Sequence, residues 1–309
     1  GVTVNRYCAS GLETIAMATA KIRSGMGHCF VAGGTESMSM IPMTGYKLAP
    51  SFEVASSTPD YLVSMGITAE NVAEQYDVSR KDQDKFAYRS HQKAIRAWAE
   101  GKFDTQITPL TVKEKKVTAE GDILENTFTF KKDEGPRKDT SVDALSGLSP
   151  VFKKGGSVTA GNSSQMNDAA AAVVVMSGKM VKQLNVTPIA RYVGFQVAGV
   201  APDIMGIGPI KAVPKVLGKT GLKLSDIDLI ELNEAFASQS LAVIRELDLD
   251  EDITNVNGGA IAMGHPLGCT GAKLTTQILY EMKARESKYG LVTMCIGGGM
   301  GAAGIFENL

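Results

Sequence analysis

The opening stretch VTVNRYCASGLETIAMATAKIRSGMGHCFVA, residues 2–32, carries the reading of the fold. Val2 to Val4 reads as the end of a strand. From Ala9 to Arg23 the apolar residues Leu12, Ile15, Ala16, Thr19 and Ala20 recur at helical spacing, and Gly25 and Gly27 stop the helix. Cys29 to Ala32 reads as a short buried strand. Strand, helix, strand is the unit that builds parallel α/β sheets.

Residues 41–154 are polar and irregular by comparison. A helix is expected from Ser79 to Glu100, with Ser79 as N-cap, Asp82 in the first turn and Gly101 just past the end. Phe86, Ala94 and Trp98 mark one of its faces. Residues 111–140 hold 14 charged side chains, which suits a solvated surface insertion.

From residue 155 the apolar, glycine-punctuated style returns. Ala171–Met176 is a candidate buried strand. A linker with Pro188 and a turn over Met205–Pro209 lead to a helix at 209–217, then a strand at 228–232 and a helix at 234–246. A helix at 272–284 and strands at 291–294 and 302–306 close the chain. The pattern recurs at both ends, as two related halves around an insertion would give.

Composition bounds the function. The 309 residues carry 32 Lys+Arg against 33 Asp+Glu, a net charge of −1, so no basic excess exists to grip nucleic acid or an anionic membrane. The longest charge-free run near the C-terminus, 253–272, is broken by glycines, Asn, His and Pro and is no membrane span. Four scattered cysteines form no disulfide framework and fit a reducing compartment. Glycine, at 33 residues, exceeds the usual share of ~7%.

Several residues could carry chemistry. Cys8 stands at a helix N-terminus, where unpaired N–H groups and the macrodipole lower a thiol's pKa; a small buried hydrophobe would look the same. His265, between Gly264 and Pro266, suits a rigid loop presenting an imidazole. His28 in a strand and His91 on a polar helix face have ordinary structural readings. Cys295 ends a strand and enters the glycine run 297–301, where backbone N–H groups can face a ligand or a tight turn can form. That run lacks the spacing of a dinucleotide fingerprint. Cys269, four residues after His265, has no further Cys or His nearby, so no metal site is expected. Asn233, at a strand-to-helix junction, reads as a helix N-cap or as a polar group that orients a water.

Four blocks resemble the signature segments of the thiolases, in the same order: NRYCASG (5–11), LNEAFA (232–237), NGGAIAMGHPLG (257–268) and CIGGGMG (295–301). MGITAEN (65–71) and TAGNSS (159–164) are similar to further family segments. Related condensing enzymes share the fold but pair the Cys with two His, or with His and Asn; a second Cys points to a thiolase.

The resemblance implies a layered α-β-α-β-α thiolase fold of two related halves. Residues 1–40, completed by about 155–186, would form the N-terminal half, 41–154 a loop domain over the coenzyme A site, and 187–309 the C-terminal half. It implies thiolytic cleavage of 3-ketoacyl-CoA, or the reverse Claisen condensation. Cys8 would be the acylated nucleophile, His265 the base, Cys295 the acid/base at the α-carbon, and Asn233 the holder of an enolate-binding water. The N–H groups of Cys8 and Gly297 would form an oxyanion hole. Met65, Phe152, Ala160 and Ser164 match the pantetheine tunnel, and Arg137, in Gly135-Pro136-Arg137, the nucleotide end. Coenzyme A would act as substrate, with no tightly bound cofactor and no metal.

Ser64 in front of Met65, the wording Ser163-Ser164-Gln165, and GHPLGC at 264–269 look like the degradative class rather than the acetoacetyl-forming biosynthetic class, which is the alternative. Family members carry a longer segment before the nucleophile; without roughly the first 80 residues, strands near the front would expose edges and apolar surface. The expectation is therefore a partial sequence or a truncated form, in the latter case at most a CoA-binding or subunit-association module. A homodimer or homotetramer in a bacterial cytoplasm is the expected state, and FENL (306–309) is no peroxisomal address. An unrelated Cys-His hydrolase would leave Cys295 and the Asn233 block without a task.

Overall fold

A computed structural model describes all residues 1–309. The helices are α1 (Ser10–Arg23), α2 (Phe52–Ser57), α3 (Met65–Gln75), α4 (Arg80–Ala99), α5 (Val142–Ser146), α6 (Gly178–Leu184), α7 (Gly208–Thr220), α8 (Ala237–Leu247), α9 (Ala260–Met263) and α10 (Leu267–Arg285). The strands are β1 (Cys29–Ser37), β2 (Leu110–Val117), β3 (Ile123–Phe130), β4 (Asp168–Met176), β5 (Ala190–Gly199), β6 (Leu229–Leu232), β7 (Tyr289–Ile296) and β8 (Met300–Asn308).

The central sheet has the order β5-β8-β7-β6, with β6 parallel to β7 and the other pairs antiparallel. Strand side chains alternate between faces, and here both faces are apolar. Ile230, Leu232, Leu291, Ala303 and Ile305 pack with α7 and α8. Leu229, Val292, Met294, Ile296, Ala302 and Phe306 pack with α1 and α10. Helices α1 and α10 lie against each other because glycines let them: a Cβ on Gly11 would sit 2.4 Å from Ala272 N, and one on Gly271 2.3 Å from Leu12 N.

Several expectations are corrected. Val2–Val4 is not a strand, and β1 pairs antiparallel with β4 in a separate two-stranded sheet, so no parallel strand-helix-strand unit forms there. Neither strand is buried: Val31 is 78% and Val174 59% exposed, because only one face of this ribbon packs on α1 and α10. His28 falls in the bend before β1. The charged stretch after residue 110 is exposed as expected, but it is an ordered hairpin of β2 and β3, in which Lys115 pairs with Glu125 across the strands at 2.5 Å. The helix with Ser79 as N-cap is α4, where the Ser79 hydroxyl accepts from Asp82 N. His91 lies on its buried face, not a polar one.

Candidate active site

The site forms where two helices begin and two strands end. Cys8 occupies a short 3-10 turn, Tyr7–Ala9, that leads into α1 and packs against α10 and β7. The turn is tight: Tyr7 has φ 43°, a left-handed value unusual for a side chain of its size, and its N–H donates to Asn5 Oδ1 at 2.8 Å. His265 immediately precedes α10, through Pro266. Asn233 follows β6, Cys295 lies next to the last residue of β7, and the parallel pairing of these strands puts both at the same edge. Open α/β sheets characteristically hold ligands beyond the carboxyl ends of their strands. Cys8, Asn233, His265 and Cys295 are all buried.

The backbone N–H groups of Gly297 and of Cys8 itself both favour the anionic form of the Cys8 thiol. They are the donors expected for an oxyanion hole. They do not make the thiol acidic: burial outweighs them and raises it to about 11. The expected lowering at a helix N-terminus is thus overturned by desolvation, which penalises a buried anion more than a helix dipole rewards it. The Cys295 thiol is also raised well above its usual value, first by burial and then by the adjacent Cys8. The two thiols are near enough for the charge of one to act on the other.

The imidazole is held in one tautomer. Thr270 Oγ1 donates to Pro266 O at 2.9 Å, so its lone pair is what faces His265 Nδ1, 2.6 Å away. Nδ1 therefore carries the proton and Nε2 is the free base, with Asn233 Nδ2 3.3 Å from it. Burial, and then the Lys273 charge, lowers His265 to about 3, which keeps the ring neutral at physiological pH. Asn233 Oδ1 is buried without a partner in the chain. Phe236, not Asn233, is the N-cap residue of α8, so the helix-cap reading of Asn233 is set aside.

Further polar residues build the support. The buried Glu234 carboxylate accepts from Ser90 Oγ at 2.6 Å, Asn255 Nδ2 at 2.9 Å and Ile261 N at 3.2 Å, tying the Asn233 strand end to α4 and to the His265 loop. Asn255 also clamps Leu232 through both backbone groups at 2.8 Å. Glu36 accepts from Gly268 N at 2.9 Å at the start of α10. Glu234 stands inside the LNEAFA block and was legible as part of it; Thr270, Glu36 and Asn255 are found only through their distances.

The other sequence-derived residues fall in two groups. Met65, at the start of α3, packs beside Ala235, Phe236 and Cys295, and its sulfur lies 3.8 Å from where a Gly297 Cβ would be. Phe152 stands edge-on to Phe236 at 6.1 Å, and Ser164 N donates to Ala235 O at 2.9 Å. Ala160 lies exposed on the adjoining turn. Arg137 is exposed too, and its backbone N–H donates to His91 Nδ1 at 3.1 Å.

A family model described as "Thiolase, N-terminal domain" matches residues 1–179, and one described as "Thiolase, C-terminal domain" matches residues 186–308. The chain belongs to the thiolase family. Among its relatives, the 3-ketoacyl-CoA thiolase of Bacillus subtilis is 54% identical over 306 residues, covering 99% of this chain and 78% of that protein. The acetyl-CoA acetyltransferase of Escherichia coli is 43% identical over 322 residues, covering 100% and 79%. The crystal structure of the dimeric peroxisomal thiolase of Saccharomyces cerevisiae superposes with a TM-score of 0.88 at 43% identity, covering 99% of this chain and 75% of that one. The human mitochondrial 3-ketoacyl-CoA thiolase in complex with CoA gives the same TM-score at 42% identity, covering 99% and 77%. The fold is the thiolase fold.

Proposed function

We propose that this thiolase cleaves 3-ketoacyl-CoA with coenzyme A to give acetyl-CoA and a shortened acyl-CoA, or runs the reverse condensation. The observation that carries the reading is the burial of two neighbouring thiols, Cys8 and Cys295, together with a buried, neutral His265 imidazole whose Nδ1 is held by Thr270 and whose Nε2 faces Asn233.

The chemistry follows from those states. The Cys8 thiol and the His265 ring are both neutral before substrate arrives, so the thiol proton passes to Nε2 as the sulfur attacks the keto carbon. The oxygen of that carbon becomes an anion facing the N–H groups of Cys8 and Gly297. Collapse re-forms the carbonyl as a Cys8 thioester and breaks the bond between the α- and β-carbons. The electron pair goes to the acetyl-CoA enolate, whose oxygen faces the His265 imidazolium and an Asn233-held water. Cys295 gives its proton to the α-carbon, and acetyl-CoA leaves. The His265 imidazolium then returns its proton to the Cys295 thiolate, leaving the ring neutral again. In the second half, coenzyme A loses its thiol proton to His265 and attacks the thioester, and that proton passes to the Cys8 sulfur as the shortened acyl-CoA leaves.

Coenzyme A is substrate here, and no step calls on a tightly bound cofactor. Residues 41–154 act as the loop domain, Met65, Phe152, Ala160 and Ser164 line the pantetheine path, and Arg137 meets the nucleotide end, where a guanidinium suits phosphate. The B. subtilis relative supports the degradative direction. A homodimer or homotetramer in a bacterial cytoplasm is the state we infer, supported by the dimeric yeast structure and the bacterial relatives.

The test separates the two thiols. Cys295→Ser should still be acylated at Cys8 by an activated acetyl thioester yet lose both cleavage of acetoacetyl-CoA and condensation. Wild-type rates of carbon–carbon chemistry in that variant would refute the Cys295 role.

A further inference from the structure

Gln165 has no part in the reaction described above, yet it lies where three functional segments meet. Its backbone carbonyl accepts the N–H of His265 at 3.0 Å. Its side-chain amide faces the carbonyls of Ile261 at 3.1 Å and Ala262 at 3.2 Å, in the short helix that leads to Gly264 and His265. The same nitrogen donates to Gly135 O at 3.1 Å, in the segment Gly135-Pro136-Arg137, where Gly135 and Pro136 are half-buried and Arg137 is exposed. Two residues upstream, the chain that carries Gln165 pairs Ser163 with Phe236, so this strip is anchored to the Asn233 block as well.

The contact is built for close approach. A Cβ on Gly135 would lie 2.4 Å from Ala262 O and 2.8 Å from Gln165 Oε1, and the first of these is backbone that cannot swing aside. On its far side the segment is held by His91, which accepts from Arg137 N at 3.1 Å. The Arg137 segment is therefore bound to α4 by one side chain and to the base-bearing loop by another.

We propose that Gln165 is a positioning residue that couples occupancy of the coenzyme A nucleotide end, at Arg137, to the placement of His265. The proposal rests on the function given above. A pull on Gly135-Pro136-Arg137 reaches Ile261 and Ala262 through one amide group. The carbonyl of the same residue fixes the His265 N–H. Nothing in this route touches the reacting atoms, so Gln165 would act only through its neighbours. A carboxylate of nearly the same shape cannot donate and would turn an anion toward three carbonyls, so Gln165→Glu breaks the link with little change in volume.

The test compares kcat/KM for acetoacetyl-CoA with that for the acetoacetyl thioester of pantetheine, which lacks the nucleotide. Gln165→Glu, Gln165→Ala and Gly135→Ala should each lose about tenfold or more on the CoA substrate, the worth of one hydrogen-bonded link, and much less on pantetheine. Arg137→Ala should cost less in the Gln165→Ala background than in the wild type. Equal losses on both substrates, or full additivity with Arg137→Ala, would overturn the coupling and leave Gln165 a packing residue. Amide hydrogen exchange gives a second readout that needs no turnover. CoA should slow exchange over residues 261–265 in the wild type and not in Gln165→Ala at matched thermal stability. Equal protection in both proteins, or none in the wild type, overturns the proposal. A wild type that binds CoA with this protection but does not cleave acetoacetyl-CoA would instead refute the proposed function.

Discussion

The role of base proposed for His265 depends on what its other nitrogen does. Thr270 fixes Nδ1 as the protonated nitrogen, so Thr270→Val should free the ring to adopt the wrong tautomer. The loss of one buried hydrogen bond, about 1–2 kcal/mol, translates into a fall in kcat of about 5- to 30-fold. KM should hardly move, and Thr270→Ser should restore most of the rate; steady-state kinetics on the three proteins checks this. Cys8 makes a second residue-level prediction. Because burial holds its thiol at about 11, alkylation by iodoacetamide without substrate should climb by about tenfold per pH unit up to pH ~10. A plateau below pH 8 would show a thiolate already present.

At the scale of elements, the site depends on how closely two helix starts approach each other. Gly11→Ala would drive a methyl group against Ala272 N and should cost about 1–3 kcal/mol, seen as a drop of several degrees in Tm. Gly264→Ala adds backbone strain, since Gly264 has φ 84° and Asn167 Oδ1 lies 1.7 Å from the added Cβ; it should reduce kcat as well as stability by displacing His265. Most elements of this core were readable from the sequence, because α1, α4, α10 and the strands β6 to β8 keep clean apolar periods and glycine stops. The front of the chain misled. Val2–Val4 has strand composition but no strand to pair with, and β1 and β4 are apolar enough to look buried while one face stays open. The β2–β3 hairpin was hidden by its charge, since cross-strand pairs such as Lys115 with Glu125 stabilise a ribbon that needs no core. In the site, motif positions picked out Cys8, Asn233, His265 and Cys295, all of which the fold buries, but the groups that hold Asn233 and His265 in place meet across long sequence separations, which no local pattern encodes.

Over the whole molecule, buried titratable groups set opposite limits on stability. His91 is held at about 4, by burial and then by Arg137, and His265 at about 3. Both lie below the unfolded value of about 6.5, so the unfolded chain takes up their protons first and stability is lost as pH falls from 6.5 toward 3. Glu231 is raised to about 8, chiefly by burial, so the folded state holds its proton while the unfolded chain releases it, and stability is lost as pH rises from 4.5 through 8. Between pH 4.5 and 6.5 these trends oppose each other. Tm should therefore fall steeply below pH 4.5, less so in His91→Gln, and decline gently from pH 6.5 to 8, a decline that Glu231→Gln should flatten; thermal melts across pH check both arms. The account as a whole turns on one covalent bond. Brief incubation with acetoacetyl-CoA, acid quenching and peptide mass spectrometry should find an added acetyl group on the peptide bearing Cys8, absent from Cys8→Ala. An acetyl group on Cys295, on Cys269 or on no cysteine would contradict it.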